Sequence, residues 1–496
     1  SVMKSDSELS NSSFARSENR SSYKLGKNWV GATVNLENNS EKLKATNTFS
    51  ALSQRFLEYG AFVGRGDSTK VFVELGFLQR QNDSLQNNRI ERVNHSNSYY
   101  LKSQLIKTEK SNLSVFLNYR TLKYEDSNLK DEPSLNSRIL YSDRFFGQLI
   151  QTTTAYETSS GTIAQQEFTY LQVEPGQGVY MWNDYNGNGI QELQEFEIAP
   201  YSDLAIYVRV FLPNQVFVRT HQNKFSQALN FNFNQWQNEK GFKKFASHFY
   251  NQTSFLIDRK IKRNGANFDL NPFSKQEEEL IGLNTNFRNS LFFNRGKQHH
   301  STTYSFLLNE SQNLLSVGSI SAKNQSHQLQ YQHLVKKSWL FNFSGSTTST
   351  ESTSENYPNR NFEIDGYQIE PKIGYLFSKN ASWDIFYEFQ QKENQIGAFE
   401  TLKQTRLGTS FTFNSEKGFS MNGEFSMYNN TYDGNALSAV GFQMLEGLQP
   451  GKNQTWRLLL QKNLTQYLDV NINYQGRNSE TSKTIHTGNI QLRAFF

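Results

Sequence analysis

Residues Lys483 to Phe496 run KTIHTGNIQLRAFF and alternate between two faces. Counting back in twos from Phe496 gives Ala494, Leu492, Ile490 and Gly488. The opposite set is Phe495, Arg493, Gln491, Asn489 and Thr487. Successive side chains of a strand point to opposite faces, so this period reads as a strand with one apolar and one polar face. In hydrocarbon every backbone N–H and C=O must be paired. Strands therefore cross a bilayer only in a closed sheet.

The same period recurs along the chain. Trp29 is followed by Val30, Ala32, Val34 and Leu36 on one face, and Val71, Val73, Leu75 and Phe77 repeat the pattern. Leu113, Val115, Leu117 and Tyr119 do so again. Leu229, Phe231 and Phe233 interleave with Asn230, Asn232 and Asn234, a polar comb suited to a wet lumen and not to a dry core. Further on, Trp383, Ile385, Tyr387 and Phe389 alternate with Asp384, Glu388 and Gln390. Phe419, Met421, Gly423, Phe425 and Met427 continue the series. Leu468, Val470, Ile472 and Tyr474 then alternate with Asp469, Asn471, Asn473 and Gln475.

Composition supports a membrane reading of that period. The chain has 40 Phe, 24 Tyr and 6 Trp, yet its mean hydropathy is only −0.69. A barrel reconciles the two, because only alternate residues meet lipid while lumen and loops are polar. No apolar run is long enough for a transmembrane helix. The net charge of +5 over 496 residues does not suggest nucleic acid, which calls for a concentrated basic face. With no Cys, disulfides and thiolate metal sites are excluded. No signal peptide is legible, so Ser1 reads as a processed N-terminus or the start of a fragment.

Residues 1–28 are polar and aperiodic and are expected to form a flexible lead-in, with the barrel spanning 29–496. Short polar breaks such as Ser378–Ala381 and Ser415–Gly418 alternate with longer ones such as 344–360. That is the short-turn, long-loop asymmetry of outer-membrane barrels. The expected fold is all-β: a large antiparallel transmembrane β-barrel of roughly 20–22 strands, whole or the C-terminal part of a larger one. A soluble sandwich would place strands every 8–12 residues, and a solenoid would show a short fixed repeat.

One segment, 180–200, carries a chemical motif. Asp184, Asn186, Asn188, Gly189, Glu192 and Glu195 stand at positions 1, 3, 5, 6, 9 and 12 of a loop. This is the calcium-loop spacing, in which alternate oxygens wrap a hard cation, the glycine permits a sharp turn and the last glutamate closes the site. The Ile190 carbonyl can add a ligand. Flanking helices are not evident, so the motif predicts a calcium-stiffened loop without an EF-hand around it. The bland alternative is an Asn/Gly turn before an acidic stretch.

Other clusters read as solvated. His299 and His300 adjoin a turn, and Glu277, Glu278 and Glu279 form a charged loop face. Asp384 and Glu388 share a strand face and are expected to pair with lumen lysines. No nucleophile-elbow, zinc-protease or phosphate-loop motif is present, so no catalytic residue is assigned.

Two stretches carry a resemblance. MLEGLQPGKNQTW, YLDVNINYQGR and the closing IHTGNIQLRAFF, within 444–496, look like the C-terminal end of large outer-membrane β-barrel proteins of Bacteroidota. VYMWNDYNGNGIQELQEFE, 179–197, has the same character. A strand closing on an aromatic also resembles the signal read by the barrel assembly machinery, here Ile490, Leu492 and Phe496. A TonB-dependent transporter would bring a plug and a TonB box, and residues 1–28 show neither. The resemblance implies a non-enzymatic protein of the bacterial outer membrane. It would act in transport or as a subunit of a protein export or assembly complex, with lipids and other envelope proteins or lipoproteins as partners. A calcium-stiffened adhesin or structural envelope protein is the alternative, and an outer-membrane lipase a remote third.

Overall fold

The computed structural model describes residues 1–126, 128–263, 265, 268–274, 279–297, 299–315, 318–415, 418–465 and 467–494. Phe495, Phe496, Glu277 and Glu278 therefore lie outside the described residues, as do Glu416 and Lys417 of one expected turn. Among the described residues, 24 strands belong to one sheet. Two of them, Tyr180–Trp182 and Phe196–Ile198, are three-residue strands inside an insertion, which leaves 24 − 2 = 22. The expected count of roughly 20–22 matches.

Strands pair with their sequence neighbours, antiparallel throughout the described ladders. Phe362–Ser378 pairs with Ala381–Asn394 across the Lys379–Asn380 turn. Leu468–Ser479 pairs with Ile485–Ala494, setting Ile472 opposite Ile490 and Val470 opposite Leu492. A long detour lies between Ile150–Gln172 and Tyr207–Asn232, which pair directly with the insertion looped out. Such an up-and-down meander, apolar on one face and polar on the other, is the architecture of a large transmembrane β-barrel.

The chain divides into two compact units. The first comprises Ser1–Ile163, Phe217–Leu229 and Phe255–Ile281. Here cross-strand aromatics cover glycines directly opposite them: Phe62 over Gly31, Trp29 over Gly64 and Tyr100 over Gly76. The polar face is tied by ion pairs. Glu74 accepts from Arg20 Nη2 at 2.9 Å and Trp29 Nε1 at 3.0 Å, and Arg20 lies 3.7 Å over the Phe62 ring.

The second unit comprises Ala164–Val216, Asn230–Ser254 and Gly282–Phe496. Its apolar face is continuous from strand to strand. Trp339, Phe341 and Phe343 lie beside Tyr375, Ile373 and Pro371, and Tyr375 and Ile373 beside Trp383 and Ile385. The face remains exposed, with Trp339 and Trp383 each at 45%. A contiguous apolar surface of this extent needs an apolar solvent, and lipid supplies it. A small core packs around the helix Ala439–Leu445, where Ile364, Leu402, Val440, Met444 and Leu445 are buried together. Ser438 caps that helix by accepting from Gly441 N at 3.0 Å. Burying each large aliphatic is worth about 1.5–3 kcal/mol.

Two sequence expectations are corrected. Residues 1–28 are not a flexible lead-in: Val2–Asp6 and Ser10–Leu25 are strands, and the second pairs with Asn28–Leu43 along its length. Residues 344–360 are not a loop throughout, since Trp339–Ser354 is one strand. The physical reason is shared. Ladder hydrogen bonds need only backbone, and a strand with polar side chains on both faces loses its period of two without losing its pairing.

Candidate functional site

The insertion 173–206 leaves the sheet at Val173, whose N–H donates to the Ile206 carbonyl at 2.8 Å. Gly178 is required at its root, because a Cβ there would meet the Ala205 carbonyl oxygen at 2.5 Å. The strands Tyr180–Trp182 and Phe196–Ile198 pair antiparallel and frame the calcium-loop motif, where an EF-hand would place helices. Aromatics weld this frame to the sheet. Tyr170 stacks on Phe196 at 4.0 Å and 9°, and Phe196 meets Tyr207 edge-on at 5.0 Å.

Between those strands the motif residues form a self-closed turn. Asp184 accepts from Gly187 N and Gly189 N, each at 2.8 Å. Asn186 Oδ1 accepts from Asn188 N at 3.0 Å, and Asn188 Oδ1 from Ile190 N at 2.6 Å. Gly187 and Gly189 supply the positive φ, +72° and +70°, that the turn requires. Asn186 Nδ2 donates to Glu192 at 2.9 Å, so those two expected ligands do meet. Glu195 is turned away into the frame, almost wholly buried. Its carboxylate accepts from Trp182 Nε1 at 2.8 Å and from Tyr185 N at 3.2 Å. Among the described residues, the carboxylates of Asp184, Glu192 and Glu195 do not converge as a three-ligand set. The Ile190 side chain points to solvent at 64% exposure.

Two arginines dock the insertion onto the rest of the second unit. Arg360, in the turn Pro358–Arg360, binds the Gln194 carbonyl and the Glu197 carboxylate. Tyr185 donates its hydroxyl to the same carboxylate at 3.1 Å. Burial raises both the Tyr185 phenol and the Glu197 carboxyl above their usual values, with Arg360 pulling Glu197 back. Arg477 grips Asp203 with both Nη atoms, at 2.6 and 2.7 Å, and lies 4.1 Å over the Tyr201 ring. That hydrogen bond holds the Asp203 carboxyl below its usual range. Gln475, two residues away on the same face, donates to Ser202 at 2.9 Å. Gln475 and Arg477 belong to the polar face of Leu468–Ser479, opposite Ile472 and Tyr474, so the insertion folds onto the polar face. Pro200 closes against Gly447 in the loop bearing the helix Ala439–Leu445, and a cleft of about 220 Å³ remains beside it, lined by Asp184, Tyr185, Leu204 and Phe442.

That polar face is charged. Arg406 binds Glu388 directly across the ladder at 3.2 Å and Glu424 at 2.5 Å. Lys372 takes Asp384 at 3.3 Å, as expected for a lumen lysine, whereas Glu388 is paired with an arginine. His299 and His300 are not an isolated pair, because His333 lies beside both. None of Arg360, Glu197, Asp203 or Arg477 stands out in the sequence. Their partners lie 163 to 274 residues away, and no local spacing reports that.

One face suited to lipid, one charged face and a meander between them decide the class. The chain has the fold of a large antiparallel transmembrane β-barrel. No family model matches the sequence, and no curated protein matches it. Among solved structures it is similar to the ferric yersiniabactin uptake receptor FyuA from Yersinia pestis, at 8% identity and TM-score 0.36, over 98% of this chain and 79% of that one. It is also similar to the FrpB iron transporter from Neisseria meningitidis, at 9% identity and TM-score 0.34, over 94% and 74%. The ferric-catecholate import receptor Fiu from E. coli K12, in its closed form, gives 8% identity and TM-score 0.36, over 94% and 75%.

Proposed function

We propose that this chain is a non-enzymatic transport barrel of the outer membrane whose 173–206 insertion restricts passage along the polar face. The observation that carries the reading is the double clamp, Arg360 on Glu197 and Arg477 on Asp203, which holds a folded segment against charged strands. A barrel of this strand number has a lumen wider than its own side chains fill, so whatever lines or occludes it sets what passes. Cargo export or assembly within a larger complex is compatible with this role, with lipoproteins or other envelope proteins as companions. Ile490, Leu492 and Phe496 are the residues offered to the barrel assembly machinery. Ile490 and Leu492 stand exposed on the apolar face.

The test is swelling of liposomes containing the purified protein in sugars of graded size. The Arg360→Ala/Arg477→Ala double variant should admit larger sugars than the unaltered protein. Identical size limits in the two would refute the restricting role.

We also propose that the loop 184–195 takes calcium. Support comes from the Asp184–Gly189 turn, which already presents three side-chain oxygens at alternate positions. Closing the site requires Glu195 to release Trp182 Nε1. Calcium should therefore shift Trp182 fluorescence and slow proteolytic nicking near Ile190. Fluorescence and nicking that ignore both calcium and chelator would refute it.

A further inference from the structure

His299, His300 and His333 each offer a ring nitrogen within 4.8 Å of the other two. His333 comes from the strand Gly318–Val335 and is the direct register partner of His300, in His300–Leu315. The ring centroids of His299 and His333 are 5.1 Å apart, and those of His299 and His300 5.5 Å. His299 Nδ1 and His300 Nδ1 are separated by 3.4 Å. Two imidazoles on one tetrahedral zinc, with Zn–N near 2.0–2.1 Å, sit about 3.3 Å apart at their ligating atoms.

The surroundings orient these rings as the neighbours of metal-bound histidines do. Asn294 is 4% exposed and stands at φ +56°, where its side chain bridges two imidazoles. Its amide meets His300 Nε2 at 2.7 Å and His248 Nδ1 at 2.6 Å. An asparagine's oxygen and nitrogen are interchangeable in assignment. With its oxygen toward His300, Asn294 accepts the Nε2 proton and leaves Nδ1 unprotonated toward His299. Tyr331 Oη lies 3.3 Å from His333 Nδ1 and stacks its ring on His333 at 12°; with Nδ1–H donating to that oxygen, Nε2 is the unprotonated nitrogen of the ring. His248 is taken by Asn294 and Lys297 and is not offered. His299 is exposed while His300 and His333 are half-buried, so a fourth position opens to water.

We propose that His299, His300 and His333 bind a borderline divalent transition-metal ion, zinc being the probe of choice, and that the ion staples the turn before His300 to the neighbouring strand. Imidazoles without carboxylates select zinc, nickel or copper over calcium or magnesium. The residues are remote in sequence and in role from the 184–195 loop.

The test is calorimetric titration of the full, tag-free protein in detergent with zinc chloride. Heat-modifiable migration on electrophoresis confirms that each variant is folded. One zinc per chain is expected. His333→Ala should weaken binding by about 100-fold, and His299→Ala, in the exposed turn, by at least tenfold. His327→Ala, whose ring is bound to Tyr304 outside the cluster, should leave it unchanged. Absence of zinc binding overturns the proposal. So does retention of unaltered affinity in both His299→Ala and His333→Ala.

Discussion

At the residue scale, the insertion is governed by two carboxylates of opposite character. Burial raises Glu197 and an arginine hydrogen bond lowers Asp203. A depressed carboxylate contributes docking stability above its free value, near 3.9, and that contribution is lost as pH falls through the docked value. The raised Glu197 acts in the other sense. Its contribution is complete below its free value and fades as pH rises through the docked one. Nicking of the 184–190 turn by an acid-active protease should therefore increase as pH drops below about 4 in the unaltered protein. In Asp203→Asn, nicking should already be high at neutral pH, and its dependence through this window should be weak. Replacing Arg477 by Ala at neutral pH should cost roughly 1.5–3 kcal/mol of docking, as expected for hydrogen bonds to a charged group. The calcium spacing was legible at this scale because the motif is local. The turning of Glu195 to Trp182 was not, since Trp182 is invisible to a pattern that begins at Asp184.

At the element scale, the strands follow from alternation wherever one face meets lipid. The apolar set of Trp383 to Phe389 and that of Phe419 to Met427 appear on the face where the sequence placed them. The failures lie where side chains are polar on both faces, in Ser10–Leu25 and in the Ser/Thr-rich half of Trp339–Ser354. There the ladder alone holds the strand, and period-two reasoning has nothing to read. Sequence reading also missed the glycine–aromatic pairs, because register is needed to see them. Trp456 lies directly opposite Gly476, and a Cβ on that glycine would fall 2.2 Å from the indole. Phe386 covers Gly408 in the same way. Gly476→Val should displace Trp456 and destabilise the hairpin by about 1–3 kcal/mol, the usual cost of overpacking. The loss should appear as a lower midpoint for heat-modifiable migration. A midpoint equal to that of the unaltered protein would show that the indole has room to move.

At the scale of the whole molecule, the sequence conveyed the class and the strand number because both are sums over many weak local signals. It did not convey which loop folds back onto the charged face, since that depends on Arg360 and Arg477 finding partners far along the chain. The two faces make different demands on solvent, which puts the apolar face in lipid and the insertion on the polar side. This placement can be read directly with the six tryptophans. Single-tryptophan variants keeping Trp339, Trp383 or Trp182, the others changed to Phe, would be reconstituted into bilayers of brominated lipid. Strong quenching of Trp339 and Trp383, with Trp182 unquenched, is the expected result. Quenching of Trp182 alongside unquenched Trp339 and Trp383 would contradict the assignment of the apolar face to lipid and of the insertion to the polar side.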